Sequence, residues 1–288
     1  MNPRRTVLVV GSLHYDIFVE APHRPEAGET VTGHRWFPKS GGKGGNQATA
    51  IAGTGCRCRM VSAVGRDDFA TFLMDRLAAA GVETDRVQVT DGAGSGMSVA
   101  IADAGGDYGA VIVSGSNLLI EPAVFDDPCL WDDVGYLILQ NEVPEEINLA
   151  AARAARSRGI EIVLNAAPAR PMGMELLSLV DVLVVNAGEA RMMCGVHVDA
   201  IAAAERAALL LAEHFPVAIV TAGGNGVAAA SGKEAFFEPA HKVEVISTHG
   251  AGDHFIGNFV SSRLSGQSLR GAIRHANNAA AAHISRKS

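Results

Sequence analysis

The residues best suited to chemistry lie in a glycine-rich segment near the C-terminus, Ser247-Thr248-His249-Gly250-Ala251-Gly252-Asp253, which runs into a predicted helix. Successive small residues allow backbone N–H groups to converge, and the start of a helix adds a partial positive charge. Such a turn binds an anion without a basic side chain. We therefore expect the amides of Gly250, Ala251 and Gly252 to form an anion-binding cradle.

Asp253 is the acidic residue at the end of this turn, and two roles fit it. Its carboxylate could accept a proton from an alcohol while the amides hold the charge on a phosphoryl group in transfer. Aspartate is also a favoured N-cap, so Asp253 could simply begin the helix. The local sequence leaves both roles open.

A second glycine cluster, Ser40-Gly41-Gly42-Lys43-Gly44-Gly45-Asn46, opens the helix that holds Gln47 to Ala52. Glycines let a ligand approach the backbone closely, while Lys43 and Asn46 offer side-chain donors. The cluster lacks the G-x-x-x-x-G-K-S/T spacing of a Walker loop, and no G-x-G-x-x-G dinucleotide fingerprint follows Val10. Considered together, the two clusters favour the catalytic role of Asp253.

The elements that must position these segments alternate along the chain. Short β-branched runs predict buried strands, and Ala- and Leu-rich amphipathic stretches predict helices between them. This alternation predicts an α/β fold, a helix–sheet–helix sandwich with a mostly parallel sheet, in a single domain over residues 1–288. The predicted strands are Val7–Val10, Met60–Val64, Tyr136–Leu139, Glu161–Leu164, Val182–Val185 and Val217–Thr221, and the predicted helices are Phe69–Ala80, Pro144–Ser157, Ala200–His214, His254–Leu264 and Leu269–Ile284.

Two segments break this rhythm, Ile17 to Lys39 and Ser95 to Val113, because they alternate in the manner of half-exposed strands. They predict a small second sheet, a lid built from about residues 14–40 and 95–114, that excludes water during group transfer. Surface hairpins would alternate in the same way, so the periodicity leaves that alternative open.

Composition limits the class of protein. The 288 residues carry a net charge of −7 and are 48% hydrophobic, which suits a soluble enzyme and suggests no nucleic-acid-binding or membrane-binding surface. No apolar run approaches the ~20 residues that span a bilayer, and the N-terminus does not resemble a signal peptide. The four cysteines lack zinc-site spacing and predict reduced thiols in a cytoplasmic protein.

Over nearly its whole length the chain resembles the PfkB family of ribokinase-like carbohydrate kinases, with the strongest likeness to its ribokinase branch. The N-terminal family signature is matched from Gly41 through Asn46, Ala48 and Gly55 to Gly65. The C-terminal signature is matched at Thr248, Gly250, Ala251, Gly252, Asp253 and Gly257. Further likeness lies in Gly28 to Val31, in Leu164 to Arg170, and in the N-x-x-E spacing of Asn186 and Glu189.

The resemblance implies an ATP-dependent kinase that uses Mg²⁺ and phosphorylates the primary hydroxyl of a small sugar, with Asp253 as general base. It also implies a homodimer joined through the lid strands. The sugar-binding residues that it implies are His14, Asp16, Gly42, Lys43, Asn46 and Glu142. The nucleotide-binding residues are Asn186, Thr221, Gly223, Gly226 and Asn277, with Glu189 acting on Mg²⁺ through water.

Several of these residues also have plain structural explanations. Asn186 and Glu189 could be an N-cap and its capping-box partner at the start of a helix. Asp16 could form a turn, and Glu142 could begin a helix. The histidines at 249, 254, 275 and 283 lack zinc-site spacing, so we expect them to be surface or packing residues.

The chain departs from the family pattern at four places. His14 stands where ribokinases usually have an asparagine that contacts the sugar, so the sugar's identity is open. Ser247 replaces an aspartate that helps to bind a monovalent cation, which leaves potassium activation open. Asn258 stands where the signature prefers Ala or Gly, and is expected to crowd helix packing. The chain ends at Ser288, before a segment that completes the cation site in ribokinases, so we expect either a shorter variant or a site open at that end.

Two alternatives to a sugar kinase follow from the same residues. A nucleoside or modified-nucleoside kinase of the family would need a larger, more aromatic pocket near the lid, and Phe18, Trp36 and Phe37 supply some aromatic material. A catalytically weak sugar-binding sensor would explain the departures from the family pattern. The intact Gly250 to Asp253 turn argues against a sensor, because a pure binder gains little from a buried base.

Overall fold

The structure is a computed structural model that describes residues 5–103 and 108–285. The strands of this part are β1 (Thr6–Val10), β2 (His14–Glu20), β3 (Arg35–Gly41), β4 (Arg57–Gly65), β5 (Glu83–Thr90), β6 (Met97–Ala102), β7 (Tyr108–Val113), β8 (Val134–Gln140), β9 (Glu161–Asn165), β10 (Val182–Asn186), β11 (Val217–Thr221), β12 (Val227–Ser231) and β13 (Glu234–Glu238). The α-helices are α1 (Lys43–Ala52), α2 (Asp68–Ala79), α3 (Glu145–Arg156), α4 (Met174–Leu179), α5 (Ala187–Cys194), α6 (Ile201–Leu211), α7 (Ala251–Leu264) and α8 (Leu269–Ile284).

The larger of two sheets holds nine of the described strands, in the order β13-β12-β11-β10-β9-β8-β1-β4-β5. Neighbours from β11 to β5 run parallel, and β12 and β13 add two antiparallel strands at one edge. Because β1 lies between β4 and β8, the sheet grows from β1 in both directions. Open α/β sheets bind their ligands at the carboxyl ends of strands where the order reverses in this way.

Helices cover both faces of the larger sheet, as the alternation of strands and helices predicted. In β1, Val7 and Val9 pack into a core that includes residues of α1, α2, α7 and α8. Leu8 and Val10 point into the other core, with residues of α3, α4, α5 and α6. Burial on both faces explains why this strand reads as a continuous apolar run. The predicted three-layer α/β sandwich is confirmed.

The two alternating segments form a separate four-stranded sheet, in the order β3-β2-β6-β7. β2 and β6 join them as parallel neighbours, with Ile17 opposite Val99, so they are not independent surface hairpins. Side chains of a strand alternate between faces, which places His14, Asp16 and Phe18 on one face of β2. Part of the predicted lid, residues 104–107, lies outside the described residues.

Two expectations concern the ends of the chain: that the N-terminus is not a signal peptide, and that the C-terminus is short or leaves the site open. Both fall at least partly outside the described residues, because residues 1–4 and 286–288 are not described. No helix in the described ranges has the length and apolar character needed to cross a bilayer.

Candidate active site

A cleft of about 900 Å³ opens at the carboxyl ends of the central strands. It combines Lys43 of the N-terminal glycine cluster, the ends of β9, β10 and β11, and the C-terminal glycine-rich turn. The predicted site residues that line it are Lys43, Asn186, Glu189, Thr221, Gly223 and the whole turn from Gly250 to Asp253.

The C-terminal turn has the geometry of an anion cradle. Gly250 is the N-cap of α7 in a left-handed conformation, with φ of 73°, which glycine adopts without strain. The amide of Ala251 donates to the carbonyl of Thr248 at 3.3 Å, and the first helical bond runs from His254 to Gly250 at 2.9 Å. The N–H groups of Gly252 and Asp253 therefore precede the hydrogen-bond ladder of the helix. Because Gly250 occupies the N-cap, the N-cap alternative for Asp253 is wrong.

The carboxylate of Asp253 is buried, and two side-chain amides hold it in place. Asn46 donates from Nδ2 to Oδ2 at 3.0 Å, and Gln47 donates from Nε2 to Oδ1 at 3.0 Å. Burial raises the pKa of Asp253, and the positive charge of Lys43 and these two bonds oppose the rise. Residues more than 200 positions apart in the sequence thus meet at the proposed base.

Gln47 is a site residue that the sequence analysis missed. Besides Asp253 it contacts Asn165, to which Nε2 donates at 3.2 Å, and Gln140, whose Nε2 donates to Gln47 Oε1 at 2.7 Å. This amide chain links the ends of β8 and β9 to the carboxylate. Its only sequence signal was the position of Gln47 beside Asn46 at the start of α1.

Glu142 lies between the end of β8 and the N-terminal glycine cluster. Its Oε2 accepts bonds from the Ser12 hydroxyl and, at 2.8 Å, from the backbone N–H of Lys43. Since α3 begins only at Glu145, Glu142 does not start that helix. It instead holds the head of α1 against the loop that follows β1.

Asp16 points from β2 into a tightly packed position under the N-terminal cluster. Its Oδ1 accepts a bond from Ser98 Oγ at 2.5 Å, and a Cβ on Gly41 would lie 1.8 Å from Oδ2. Burial raises the pKa of Asp16, while the Ser98 bond and the nearby imidazoles of His14 and His249 oppose the rise. Asp16 therefore lies within a strand rather than a turn.

His14 begins the same face of β2 and is only 3% exposed. Its Nε2 is buried and has no hydrogen-bond partner among the described residues. Phe18, two residues beyond Asp16 on that face, lines the cleft. A buried ring nitrogen without a partner is costly unless a ligand completes it.

Asn186 and Glu189 form the capping box that the sequence analysis left open. The Glu189 amide donates to Asn186 Oδ1 at 2.9 Å, and Glu189 accepts from the Asn186 backbone N–H and Nδ2 at 2.8 Å each. Both residues also line the cleft. Burial is the largest influence on Glu189 and raises its pKa.

The residues of the cleft fit a magnesium ion that is held mainly by phosphates and water. In the described ranges, no group of three or more His, Cys, Asp or Glu side chains is arranged to hold a metal. Mg²⁺ keeps several waters and is commonly bound by one or two carboxylates together with substrate phosphates. Glu189 is a buried cleft carboxylate suited to that contact through water.

Two predicted nucleotide-binding residues do not line the cleft. Asn277 donates from Nδ2 to the Pro239 carbonyl at 2.8 Å, and so holds the segment after β13. A Cβ on Gly226 would lie 2.3 Å from the Glu238 carbonyl oxygen, so this glycine permits close backbone packing. Their nucleotide-binding role stays a prediction. Val245 and Ile246, which the sequence analysis did not select, add apolar side chains to the cleft lining.

Ser247 and Asn258, which depart from the family pattern, each form a hydrogen bond with a residue close by in the sequence. Ser247 Oγ accepts from the His249 amide at 3.3 Å. Asn258 turns back along α7 and donates to the His254 carbonyl at 2.8 Å. Close packing of α7 on α1 depends instead on Gly257, where a Cβ would lie 2.7 Å from the Ala50 Cβ.

Comparison with known proteins decides the family. The pfkB family of carbohydrate kinases matches residues 4–288. The chain belongs to this family. It is accordingly an ATP-dependent carbohydrate kinase, a phosphotransferase whose acceptor is an alcohol group, and it acts with ATP and Mg²⁺.

Individual relatives are similar over nearly their full length. Ribokinase of Bacillus subtilis (strain 168) is 34% identical over 282 residues, covering 97% of this chain and 93% of that protein. Ribokinase of Haemophilus influenzae is 31% identical over 286 residues, covering 99% and 94%. The structure of Arabidopsis thaliana ribokinase complexed with ribose and ATP has a TM-score of 0.91 at 26% identity, covering 100% and 94%.

Proposed function

We propose that this kinase phosphorylates the primary hydroxyl of a small sugar, ribose or a related pentose or ketose, with Asp253 as general base. One observation carries the proposal. The Asp253 carboxylate lies in the first turn of α7, beside two amides that precede the helical ladder, and is bonded to Asn46 and Gln47 of the opposite glycine-rich helix start. A base and an anion cradle therefore share one position.

In the proposed reaction the sugar hydroxymethyl oxygen attacks the γ-phosphorus of ATP in line. The new oxygen–phosphorus bond forms as the bond to the ADP oxygen breaks, and Asp253 takes the hydroxyl proton. The amides of Gly252 and Asp253, which precede the helical ladder, stabilise the charge on the phosphoryl oxygens. Mg²⁺ offsets charge on the triphosphate when it is bound, and Glu189 and Asn186 would hold it through water.

The acceptor pocket in this proposal is built from polar groups, of which His14 and Asp16 are buried and Glu142 is half-buried. Asp16, Glu142 and the unpartnered Nε2 of His14 offer acceptors and a donor in fixed directions, as the hydroxyls of a sugar require. A site of this kind rejects molecules that leave such groups unpaired. The structure of Arabidopsis ribokinase complexed with ribose and ATP supports ribose as the first sugar to test.

We also propose that the protein is a cytoplasmic homodimer joined through the lid sheet. All four cysteines are free, which agrees with a reducing compartment. The face of the lid sheet opposite Asp16 is apolar and partly or fully exposed, so a second copy could cover it. The residues of this apolar lid face are Ile17, Val19, Trp36, Val99, Ile101, Val111 and Val113.

A substrate panel tests the function. Purified enzyme is assayed with ATP and Mg²⁺ against ribose, fructose, deoxyribose, adenosine and pseudouridine, with ADP as the measured product. We expect the highest kcat/KM with a free sugar. A preference for adenosine or pseudouridine would make the protein a nucleoside kinase. Calorimetric sugar binding without ADP formation at any Mg²⁺ concentration would make it a sensor.

Substitution of Asp253 by Asn tests the proposed base. We expect Asp253→Asn to keep sugar affinity close to wild type while lowering kcat by about two to four powers of ten, because the side chain no longer accepts the proton. Asp68→Asn is a matched control, since Asp68 is exposed in the first turn of α2. Turnover of Asp253→Asn within tenfold of wild type would assign the base elsewhere.

A further inference from the structure

The last turn of α8 holds the segment that leads into the anion cradle. The carbonyl of Ile284 accepts bonds from the amides of Ile246 and Ser247, at 2.8 and 3.3 Å. One residue earlier on α8, His283 Nε2 lies 3.0 Å from the carbonyl oxygen of His249. Three hydrogen bonds therefore join the end of one helix to the four residues in front of Gly250.

The His283 ring lies directly behind the first residue of the cradle. A carbonyl oxygen can only accept, so Nε2 of His283 carries the proton of this bond. A Cβ on Gly250 would lie 3.4 Å from that nitrogen. The ring also stacks on His254, the residue after Asp253, with 3.6 Å between centroids and an interplanar angle of 27°.

His249 is the residue on which these contacts converge. While His283 holds its carbonyl, its imidazole lies edge-on to Phe18 of the lid sheet, with 5.8 Å between ring centroids. The carbonyl of His249 belongs to the peptide that leads into Gly250, whose left-handed φ of 73° turns the chain into α7. Rotation of this peptide would move the amides that follow it.

From this geometry we propose that His283 is a positioning residue for phosphoryl transfer. Its Nε2–H fixes the His249–Gly250 peptide, and thereby directs the N–H groups of Gly252 and Asp253 into the cleft. The inference rests on the proposed function, because it assigns the cradle to a transferring phosphoryl group. It replaces the expectation that His283 is merely a surface or packing residue.

Two substitutions separate the hydrogen bond from the ring packing. His283→Phe keeps a flat ring to stack on His254 and loses the donor, whereas His283→Gln loses the ring and keeps an N–H at the same distance along the side chain. We expect His283→Phe to lower kcat by about ten- to a hundredfold with little change in the sugar KM, since the cradle donors contact the phosphoryl group, most strongly in the transition state, and do not contact the sugar. We expect His283→Gln to recover most of the loss.

Binding of a non-hydrolysable ATP analogue separates this inference from the proposed function. We expect its affinity, measured by calorimetry, to fall by about tenfold in His283→Phe and to recover in His283→Gln. This result would support the inference even if no member of the substrate panel were phosphorylated.

His275→Phe is the control, because His275 lies exposed on the same helix. We expect it to match wild type in kcat and in analogue affinity. The proposal is overturned if His283→Phe keeps wild-type kcat and analogue affinity. It is equally overturned if His283→Gln is impaired as much as His283→Phe, because a donor at that position would then fail to restore function. Thermal unfolding of each variant checks that the fold is retained.

Discussion

At the scale of single residues, the ionisation of Asp253 depends on opposing neighbours. Burial raises its pKa most, and the charge of Glu142 acts in the same direction. Lys43 and the amide donors Asn46 and Gln47 lower it. A carboxylate must be ionised to accept a proton, so these donors keep the base competent in a site that excludes water.

Removal of the Lys43 charge should therefore shift the pH dependence of the enzyme. Without that positive charge the pKa of Asp253 rises further, so more of the base is protonated at a given acidic pH. We expect the acid limb of the kcat/KM profile to move to higher pH in Lys43→Gln. The profile is measured from pH 5 to 9 with saturating ATP.

Lys233→Gln provides the control for this profile, because Lys233 is exposed in the turn between β12 and β13. It should reproduce the wild-type midpoint. An acid limb that stays in place, or moves to lower pH, in Lys43→Gln would show that the limb does not report a carboxylate near Lys43.

At the scale of elements, the backbone at the start of α1 packs closely against the loop after β1. Gly42, the N-cap of α1, has φ of 82°. A Cβ at this position would lie 2.8 Å from the Ser12 carbonyl oxygen and 2.9 Å from the His14 nitrogen. Because Asn46 and Gln47 follow on the same helix, its placement determines where the donors to Asp253 stand.

Alanine at the two ends of α1 should have different effects. In Gly42→Ala the backbone conformation alone, with φ of 82° and ψ of 134°, costs about 1–3 kcal/mol. The close backbone contacts would also shift the helix, so we expect loss of stability and of kcat. Gly53→Ala is the control at the C-cap, where φ is −61° and the nearest atom to a Cβ is 3.4 Å away. We expect its unfolding free energy to stay within about 1 kcal/mol of wild type.

Urea unfolding and steady-state kinetics measure both variants. A Gly42→Ala protein as stable and active as Gly53→Ala would show that the contact between the β1 loop and α1 is not needed.

At the scale of the whole molecule, two sheets meet around the cleft. The larger sheet supplies the ends of its central strands, and the lid sheet supplies Phe18 and Ala102 to the lining. In the proposed function the strand ends form the nucleotide side, and His14 and Asp16 of the lid sheet form the acceptor side. On the opposite, apolar lid face, Trp36 is 63% exposed and Val111 is 69% exposed. A second copy that covers this face would also stabilise the sheet that carries Asp16.

Charges on the apolar lid face should therefore dissociate the proposed dimer. We expect light scattering to give twice the 29.9 kDa chain mass for wild type. We expect a monomer, or a much weaker dimer, for Val99→Asp combined with Val111→Asp, because a buried carboxylate without a partner is costly. Val89→Asp is the control, since Val89 is 53% exposed on β5, away from this face. A monomeric wild type would refute the dimer.

The sequence by itself determined the features of this protein that depend on residues close together in the chain. Strand–helix alternation predicted the fold class, the glycine-rich turns predicted the cradle, and the spacing of Asn186 and Glu189 included a capping box among its possible explanations. These features could be predicted because backbone conformation and helix capping depend on nearby residues. The short strands β12 and β13 went unpredicted, since the alanines of β12 have little strand preference of their own and pair only where the sheet accepts them.

Tertiary structure decided which distant groups meet. Nothing in the sequence near Asp253 indicates that Gln47 donates to it, or that His283 reaches the His249 carbonyl, because each partner comes from a separate element. The sequence near Asn186 and Glu189 likewise does not indicate that these two residues line the cleft in addition to capping α5. Which distant residues form hydrogen bonds with each other follows from how the layers pack. Packing is a property of the assembled core rather than of any one segment.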